Sequence, residues 1–466
     1  MSFLSVRRLD AKSAPADQLL HRPGLLVVLL LSIPLTFVYV VQSFLFIRGV
    51  QDVRVIVCLL ELLFVGAVHV EASYAREASR RLPTTAGWLF LAWLGAASMS
   101  VALSDHFMHA LIRHAEWVCH SLFAYTLWTY LRRDTTRVKW ILLMIPLGFY
   151  LTGLILLQFW FAHPNPSGHN WFTGTPAFGH IRYVGYYALA GLIFSMSPLL
   201  GLGEGVSWGE RLLVGAAMAF CWAFLFWTGG RAALGAAVVG AVVFLWFAPR
   251  RQRPWVAGVS LLAATAGAWL STLFRVADPR MGFFQSIERT ASATSVNALS
   301  TGRLAMWETT IEAIEKHPWF GLGPEGYLYL ETKVYGVQPH NLLLQFLVEW
   351  GLIGTVLFVA LLMLVFRKAL SNLGQEETPL RRTARITALA LLMAFTVHSL
   401  VDGLYYHAVP LMLLFTSIAI ALLPSSSPES ATPSPLAYLT TPLGLRLATT
   451  VLIVLFTGYY IVLFIL

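Results

Sequence analysis

The sequence predicts an all-α, polytopic membrane helix bundle of about twelve to thirteen transmembrane helices, with one helical segment outside the bilayer. Three observations carry this. Of 466 residues, 57% are hydrophobic and 12% charged, and the mean hydropathy is +0.69. A soluble domain carries about 25% charged residues, so half that polar surface leaves lipid as the solvent for most of the chain. The apolar residues also come in runs of roughly 20, the length that crosses a bilayer. Finally, the basic residues gather on alternate connections.

In chain order, residues 1–23 are basic and polar and lack the short apolar core and cleavage site of a removed signal peptide. They predict a cytoplasmic tail followed by a retained first span. Candidate spans lie near 24–46, 53–70, 86–104, 107–131, 138–162, 182–202, 211–228, 232–248, 255–274, 341–366, 384–404, 409–423 and 445–466. The last reads as a possible appendage to a twelve-helix core. The chain thus divides into the tail, a nine-helix part over 24–274, a segment over 275–340, and C-terminal helices over 341–466. The run SSSPESATPSP at 425–435 is a connector by composition. Cys58, Cys119 and Cys221 all fall inside apolar runs and read as packing residues, with neither a disulfide framework nor a zinc spacing.

Positive side chains accumulate on cytoplasmic loops. With the N-terminus inside, twenty-one Lys and Arg residues lie on inside segments, whereas the short outside loops carry only Arg48, Arg54, Arg182 and Arg231. This bias sets the topology. It also accounts for the net charge of +9 without nucleic acid. The 275–340 segment then lies outside the cytoplasm.

Ionisable groups at membrane depth cost at least ~2.5–3.5 kcal/mol each on insertion scales, so each needs a reason. His106, His109, Arg113, Glu116 and His120 are spaced 3, 4, 3 and 4 apart on the fourth span, which places them on one helical stripe. One reading is an internal Arg113–Glu116 pair that holds helices together. The other is that His106, His109 and Arg113 line an anionic substrate cavity. Glu61 and His69 in the second span read as a packing pair. His398 and Asp402 lie one turn apart at the outer end of the eleventh span, beside Tyr405, Tyr406 and His407, and read as a supporting site.

Within 275–340, Ser300 or Thr301 is placed to cap a helix with Leu304, Trp307, Ile311 and Ile314 on its apolar face. Such a helix would lie on the membrane surface or across the bundle mouth. The run His317-Pro318-Trp319-Phe320-Gly321-Leu322-Gly323-Pro324 ends it.

Three places resemble one family. His340-Asn341, nine residues, then Gly351-Leu352-Ile353-Gly354 is similar to the His-[Asn/Ser/Gln]-x9-Gly-x-x-Gly signature of bacterial O-antigen ligases (WaaL), which related PglL-type protein O-oligosaccharyltransferases share. Thr228-Gly229-Gly230-Arg231-Ala232 resembles the small-residue–Arg turn of that superfamily. Ser300-Thr301-Gly302-Arg303-Leu304-x-x-Trp307, with His317-Pro318 and Gly321-x-Gly323-x-x-Gly326, resembles its periplasmic Ser-Gly-Arg…Trp…Pro…Gly-x-Gly block. Two departures stand out: Gly-Gly-Arg-Ala replaces the more usual Ser-Arg-Gly, and Thr301 is inserted. Neither removes an arginine. The resemblance covers about 228–402; the first half agrees in hydropathy alone.

The resemblance implies a GT-C-like glycosyltransferase in the bacterial inner membrane with its active site facing the periplasm. It implies undecaprenyl-diphosphate-linked O-antigen as donor and lipid A–core as acceptor, with no cofactor. Guanidinium groups suit a departing diphosphate, because they bind it bidentately as charge grows. Arg231 and Arg303 are the first candidates, and Arg182 is a third; interfacial snorkelling is the alternative for each. His340 suits either removal of a proton from the acceptor hydroxyl or donation of a hydrogen bond to the diphosphate. Asn341 would cap the tenth span or orient the acceptor, and Gly351 and Gly354 would admit another helix. Arg113, His109, His398 and Asp402 are supporting candidates. With no Asp-x-Asp motif and no metal-ligand spacing in the outer segment, the sequence suggests metal-independent, inverting transfer.

Three other readings share these features. A Wzy-type polymerase would use the same donor, and a PglL-type enzyme would use a protein acceptor. A transporter or flippase of lipid-linked glycan would suit the intramembrane His/Arg stripe, although such carriers often show inverted repeats and midplane helix breaks.

Overall fold

In a computed structural model of the protein, the described residues are 50–75, 84–176, 178–201, 208–334, 336–375, 378–424 and 449–457. Among them no strand occurs, and the main helices run α1 Val50–Ala75, α2 Thr84–Ala102, α3 Phe107–Arg133, α4 Val138–Ala162, α5 Ile181–Ser195, α6 Trp208–Thr228, α7 Arg231–Phe247, α8 Arg253–Ser271, α9 Phe283–Ala291, α10 Arg303–Lys316, α11 Leu342–Leu373, α12 Pro379–Ser399 and α13 Ala408–Ala421. The chain is an all-helical, multi-pass bundle. The candidate span at 24–46, the tail at 1–23 and the connector at 425–435 lie outside the described residues, and the span at 445–466 is described only over 449–457.

Six described helical segments are long and apolar enough to cross a membrane: Thr85–Ala102, Thr135–Ala162, Ile181–Leu200, Trp208–Thr228, Arg253–Ser271 and Leu342–Leu373. Helices α7 and α13, of 17 and 14 residues, are apolar but shorter. Helices α1, α3 and α12 carry buried charged residues instead. A backbone in lipid must satisfy its own hydrogen bonds, which is why these apolar runs fold as helices.

The bundle's interior is aromatic. Trp117 of α3 meets Trp350 and Phe358 of α11 edge-on, with ring centroids 5.1 and 5.4 Å apart, and Trp93 of α2 meets Trp350 at 5.3 Å. Lipid tails are as apolar as these side chains, so close packing and ring geometry, rather than expulsion of water, favour the contact.

At one end of the bundle, basic and polar groups close the C-terminus of α13. Asn372 and Arg385 both donate to the Leu423 carbonyl, the Trp128 indole donates to Leu422 at 3.0 Å, and Arg381 donates to Pro424. Cations belong where a helix presents unpaired carbonyls.

Helix α11 is broken. Gly351 adopts φ 65° and ψ −171° inside it, a left-handed backbone that side-chain-bearing residues rarely enter. Residues 318–323 fill the break. Leu322 and Gly323 donate to the carbonyls of Val348 and Glu349 at 2.8 and 3.0 Å, and Leu352 and Ile353 donate to those of Pro318 and Trp319. A Cβ on Gly351 would lie 2.3 Å from the Trp319 backbone. The sequence expectation that Gly351 admits a neighbouring helix is therefore corrected: it admits a loop, which takes over the hydrogen bonds the break frees.

Helix α10 also differs from expectation. Its N-cap is Gly302 at φ 79°, with no side-chain cap from Ser300 or Thr301. Its buried face is Met306, Thr310 and Ala313, packed with Tyr327 and Val348, whereas Leu304 and Ile311 are exposed. The apolar residues outnumber what one face needs. Trp307 and Ile314 pack at the edge of the buried face, and Leu304 and Ile311 are left facing outward.

Candidate active site

At the opposite end of the bundle, the start of α11 meets the α12–α13 connection. Asn341 caps α11 by accepting from the Leu344 amide at 3.1 Å, while its side-chain amide donates to the Leu400 carbonyl at 3.0 Å. The cap forces the preceding residue into the loop, and His340 takes φ 51° there. A non-glycine residue in this region costs of order 1–3 kcal/mol and persists only where its surroundings over-determine it.

The surroundings are specific. His340 Nδ1 lies 2.8 Å from Asp402 Oδ1. The same oxygen accepts from the Gly403 amide at 2.8 Å. His398 Nε2 stands 3.7 Å from the other carboxylate oxygen, and Arg182, at the start of α5, 3.9 Å from the first. Burial alone would raise the Asp402 carboxyl, but the hydrogen bond from His340, the nearby His398 and the charge of Arg182 hold it well below the usual carboxylate range. An ionised Asp402 only accepts, so Nδ1 of His340 carries a proton, and in the neutral imidazole the lone pair is then on Nε2. That is the arrangement of a general base whose orientation and tautomer are set by a carboxylate. Gln338 completes the wall by packing on Gly403: a Cβ there would meet its amide within 1.6 Å, and Gln338 Nε2 donates to the Gly403 carbonyl at 3.3 Å.

Arginines gather on the adjoining side. Arg231, first residue of α7, donates to Thr290 Oγ1 at 3.2 Å and to the Leu299 carbonyl at 2.8 Å. Arg303 opens α10 three residues beyond the Ser300 turn. One helical turn later, the Trp307 indole donates to the Pro339 carbonyl at 3.0 Å, next to His340. Contacts therefore run from Arg231 through the 296–303 turn and α10 to His340. Arg289, on α9, donates to Gly229 and Ser286, and Arg280 is held by Asp278 at 2.6 Å. Burial, reinforced by Arg231, Arg182 and Arg280, lowers the Arg289 guanidinium. Such mutual repulsion means four cations crowd together. Arg280, which sits in irregular chain, and Arg289, on the short helix α9, were not singled out from the sequence; basic residues flanking an interfacial turn were the available signal.

Two predicted candidates lie elsewhere. Arg113 is buried, pairs with Glu116, and donates to the Tyr405 carbonyl at 2.7 Å. Arg54 reaches the same carboxylate at 3.6 Å, pairs with Glu325 and donates to the Tyr406 carbonyl at 2.9 Å. The outer-loop placement of Arg54 is thus corrected: it is a buried residue of α1. His109 and His106 face Tyr329, with ring centroids 5.4 and 3.6 Å away. The expected Glu61–His69 pairing is corrected too, since Glu61 meets His120 of α3 at 2.9 Å. Cys58, Glu61 and Cys119 bring possible ligand atoms within 4.8 Å of one another across α1 and α3, a grouping that no spacing along the chain reveals.

Residues 216–359 match the family model described as O-antigen ligase. Over that stretch the chain is similar to the O-antigen ligase family. The matched segment contains Arg231, Arg280, Arg289, Arg303 and His340, whereas Arg182, His398 and Asp402 stand outside it. The chain is also similar to the exopolysaccharide production protein ExoQ of Rhizobium meliloti (strain 1021), at 26% identity over 291 residues. That alignment takes in 58% of this chain and 63% of the relative, so the chain spans under two thirds of the relative's length.

Proposed function

We propose that this protein is an O-antigen ligase that transfers O-antigen from undecaprenyl diphosphate to lipid A–core on the periplasmic face of the bacterial inner membrane. The observation that carries the reading is the meeting, at one end of the bundle, of an Asp402-oriented His340 with Arg182 and the arginines around Arg231. His340 Nε2 takes the proton of the acceptor hydroxyl as its oxygen attacks the anomeric carbon. The bond from that carbon to the diphosphate breaks, and Arg231, Arg303 and Arg182 stabilise the charge left on the leaving group. A single in-line displacement inverts the anomeric centre. A cavity of mixed lining lies beside the Arg231 turn, with Trp227, Phe274 and Phe283 facing Ser271, Thr272, Arg275 and Gln285, which suits the junction of a diphosphate and its prenyl chain. The scarcity of basic residues on the short connections at this end supports its placement outside the cytoplasm.

A second reading is polymerisation of the same lipid-linked glycan, favoured by the similarity to ExoQ. Incubation of purified protein with donor, with and without lipid A–core, separates the two. Donor consumption that requires lipid A–core and yields a glycosylated ladder supports the ligase; longer chains from donor alone support the polymerase; no product in either case rejects both. His340→Ala, Arg303→Ala and Arg231→Ala are each expected to abolish transfer in a folded, inserted protein. Wild-type turnover in Arg303→Ala would remove the diphosphate assignment. Activity is expected to persist in excess EDTA.

A further inference from the structure

Between the arginines and the His340–Asp402 pair runs a line of rings that the mechanism above does not use. Arg280 lies 3.7 Å from the ring centroid of Phe172. Phe172 meets His180 edge-on at 4.6 Å, His180 lies 5.7 Å from Tyr183, and Tyr183 lies 4.3 Å from His407. His407 belongs to the same connection as Asp402. Phe172, His180 and Tyr183 are each half-buried. The line begins at a guanidinium and ends beside the carboxylate that orients the base.

His180 has a defined chemical state. It is the N-cap of α5, and its Nδ1 accepts from the Arg182 amide at 3.1 Å. Burial, together with the charges of Arg182 and Arg280, lowers its imidazole to about 4. At neutral pH the ring is therefore uncharged, with its proton on Nε2, where it is a hydrogen-bond donor.

We infer that Phe172, His180 and Tyr183 form the platform for the sugar joined directly to the carrier diphosphate. This rests on the transfer reading above. A donor whose diphosphate is held by the arginines, and whose anomeric carbon faces a hydroxyl at His340, must lay its first pyranose between them. The apolar C–H face of a pyranose suits an aromatic surface, and its hydroxyls suit the His180 Nε2–H. A prenyl chain would not need a neutral donor at this place.

The test measures binding, not turnover, so that it stands apart from the parent reading. Full-length protein is compared in wild-type, Phe172→Ala, His180→Asn, Tyr183→Ala and Tyr183→Phe forms. Each is titrated with glycan-bearing undecaprenyl diphosphate and with undecaprenyl diphosphate lacking sugar. His180→Asn keeps a helix cap while removing the ring. Loss of a ring contact worth about 0.5–1.5 kcal/mol weakens binding about 2- to 12-fold. The glycan-bearing ligand is expected to lose that affinity in the Phe172→Ala, His180→Asn and Tyr183→Ala forms. Affinity for the sugar-free carrier should be unchanged in all, and Tyr183→Phe should match wild type for both. Equal losses for the two ligands, or none for either, would overturn the platform. A wild-type protein that binds both ligands but transfers nothing would defeat the parent reading while leaving the platform to be judged on the affinities.

Discussion

Two polar clusters occupy the same end of this bundle, and their difference separates architecture from chemistry. The first joins Arg54, Arg113, Glu116 and Glu325, drawn from α1, α3 and the chain beyond α10. All four are buried, and two cations face two anions. The second gathers Arg182, Arg231, Arg280 and Arg289, all half-buried or exposed, near Asp278 and the buried Asp402. The closed cluster pairs its cations with anions of the protein's own. The open one has an excess of positive charge that an anion would neutralise. Charge balance and access, rather than the presence of ionisable groups at membrane depth, distinguish the candidate active site.

The contrast can be broken most directly at Arg113. Arg113→Leu leaves Glu116 buried beside one remaining arginine and is expected to cost about 3–5 kcal/mol, read as a large fall in thermal stability in detergent. Adding Glu116→Leu should recover most of that loss, because a matched pair replaced by apolar groups is often nearly neutral. A stable but inactive Arg113→Leu would move this residue into the catalytic cluster. The opposite result is expected of Asp402→Asn. The amide no longer fixes the His340 tautomer, so kcat should fall about 10²- to 10⁴-fold while donor affinity holds. A variant that unfolds would reclassify Asp402 as structural.

The smallest effect concerns pH. The folded His180 imidazole stays neutral down to about 4, whereas an unfolded histidine is charged below about 6.5. Unfolding therefore takes up a proton in that window, and stability falls as pH drops from about 6.5 toward 4. His180→Asn should flatten that part of the thermal-stability profile. An unchanged slope would show that the buried, cation-flanked setting of this ring is misassigned.

Much of this was legible in the sequence, and the gaps have physical causes. Runs of apolar residues define helices because lipid permits little else, so eleven candidate spans coincide with α1–α8 and α11–α13. The spacing of His398 and Asp402 placed those two together, but pairing with His340, sixty-two residues away in the chain, depends on tertiary contact. The stripe on α3 was visible from its period. Its partners were not, since Arg54 and Glu325 come from distant segments whose own surroundings look like loop and interface. Gly351 illustrates a further limit. A glycine in an apolar helix reads equally as a close-packing position or a break, and only the hydrogen bonds of residues 318–323 decide between them.

That break has a mechanical consequence. The segment carrying Arg303 is tied at two separate points to the chain that runs from His340 into α11: the Trp307 indole bonds to Pro339, and the 318–323 ribbon bonds at the Gly351 break. Two fixings on one bar forbid pivoting. The separation between the Arg303 segment and the His340 imidazole is thus fixed at two places by the fold itself.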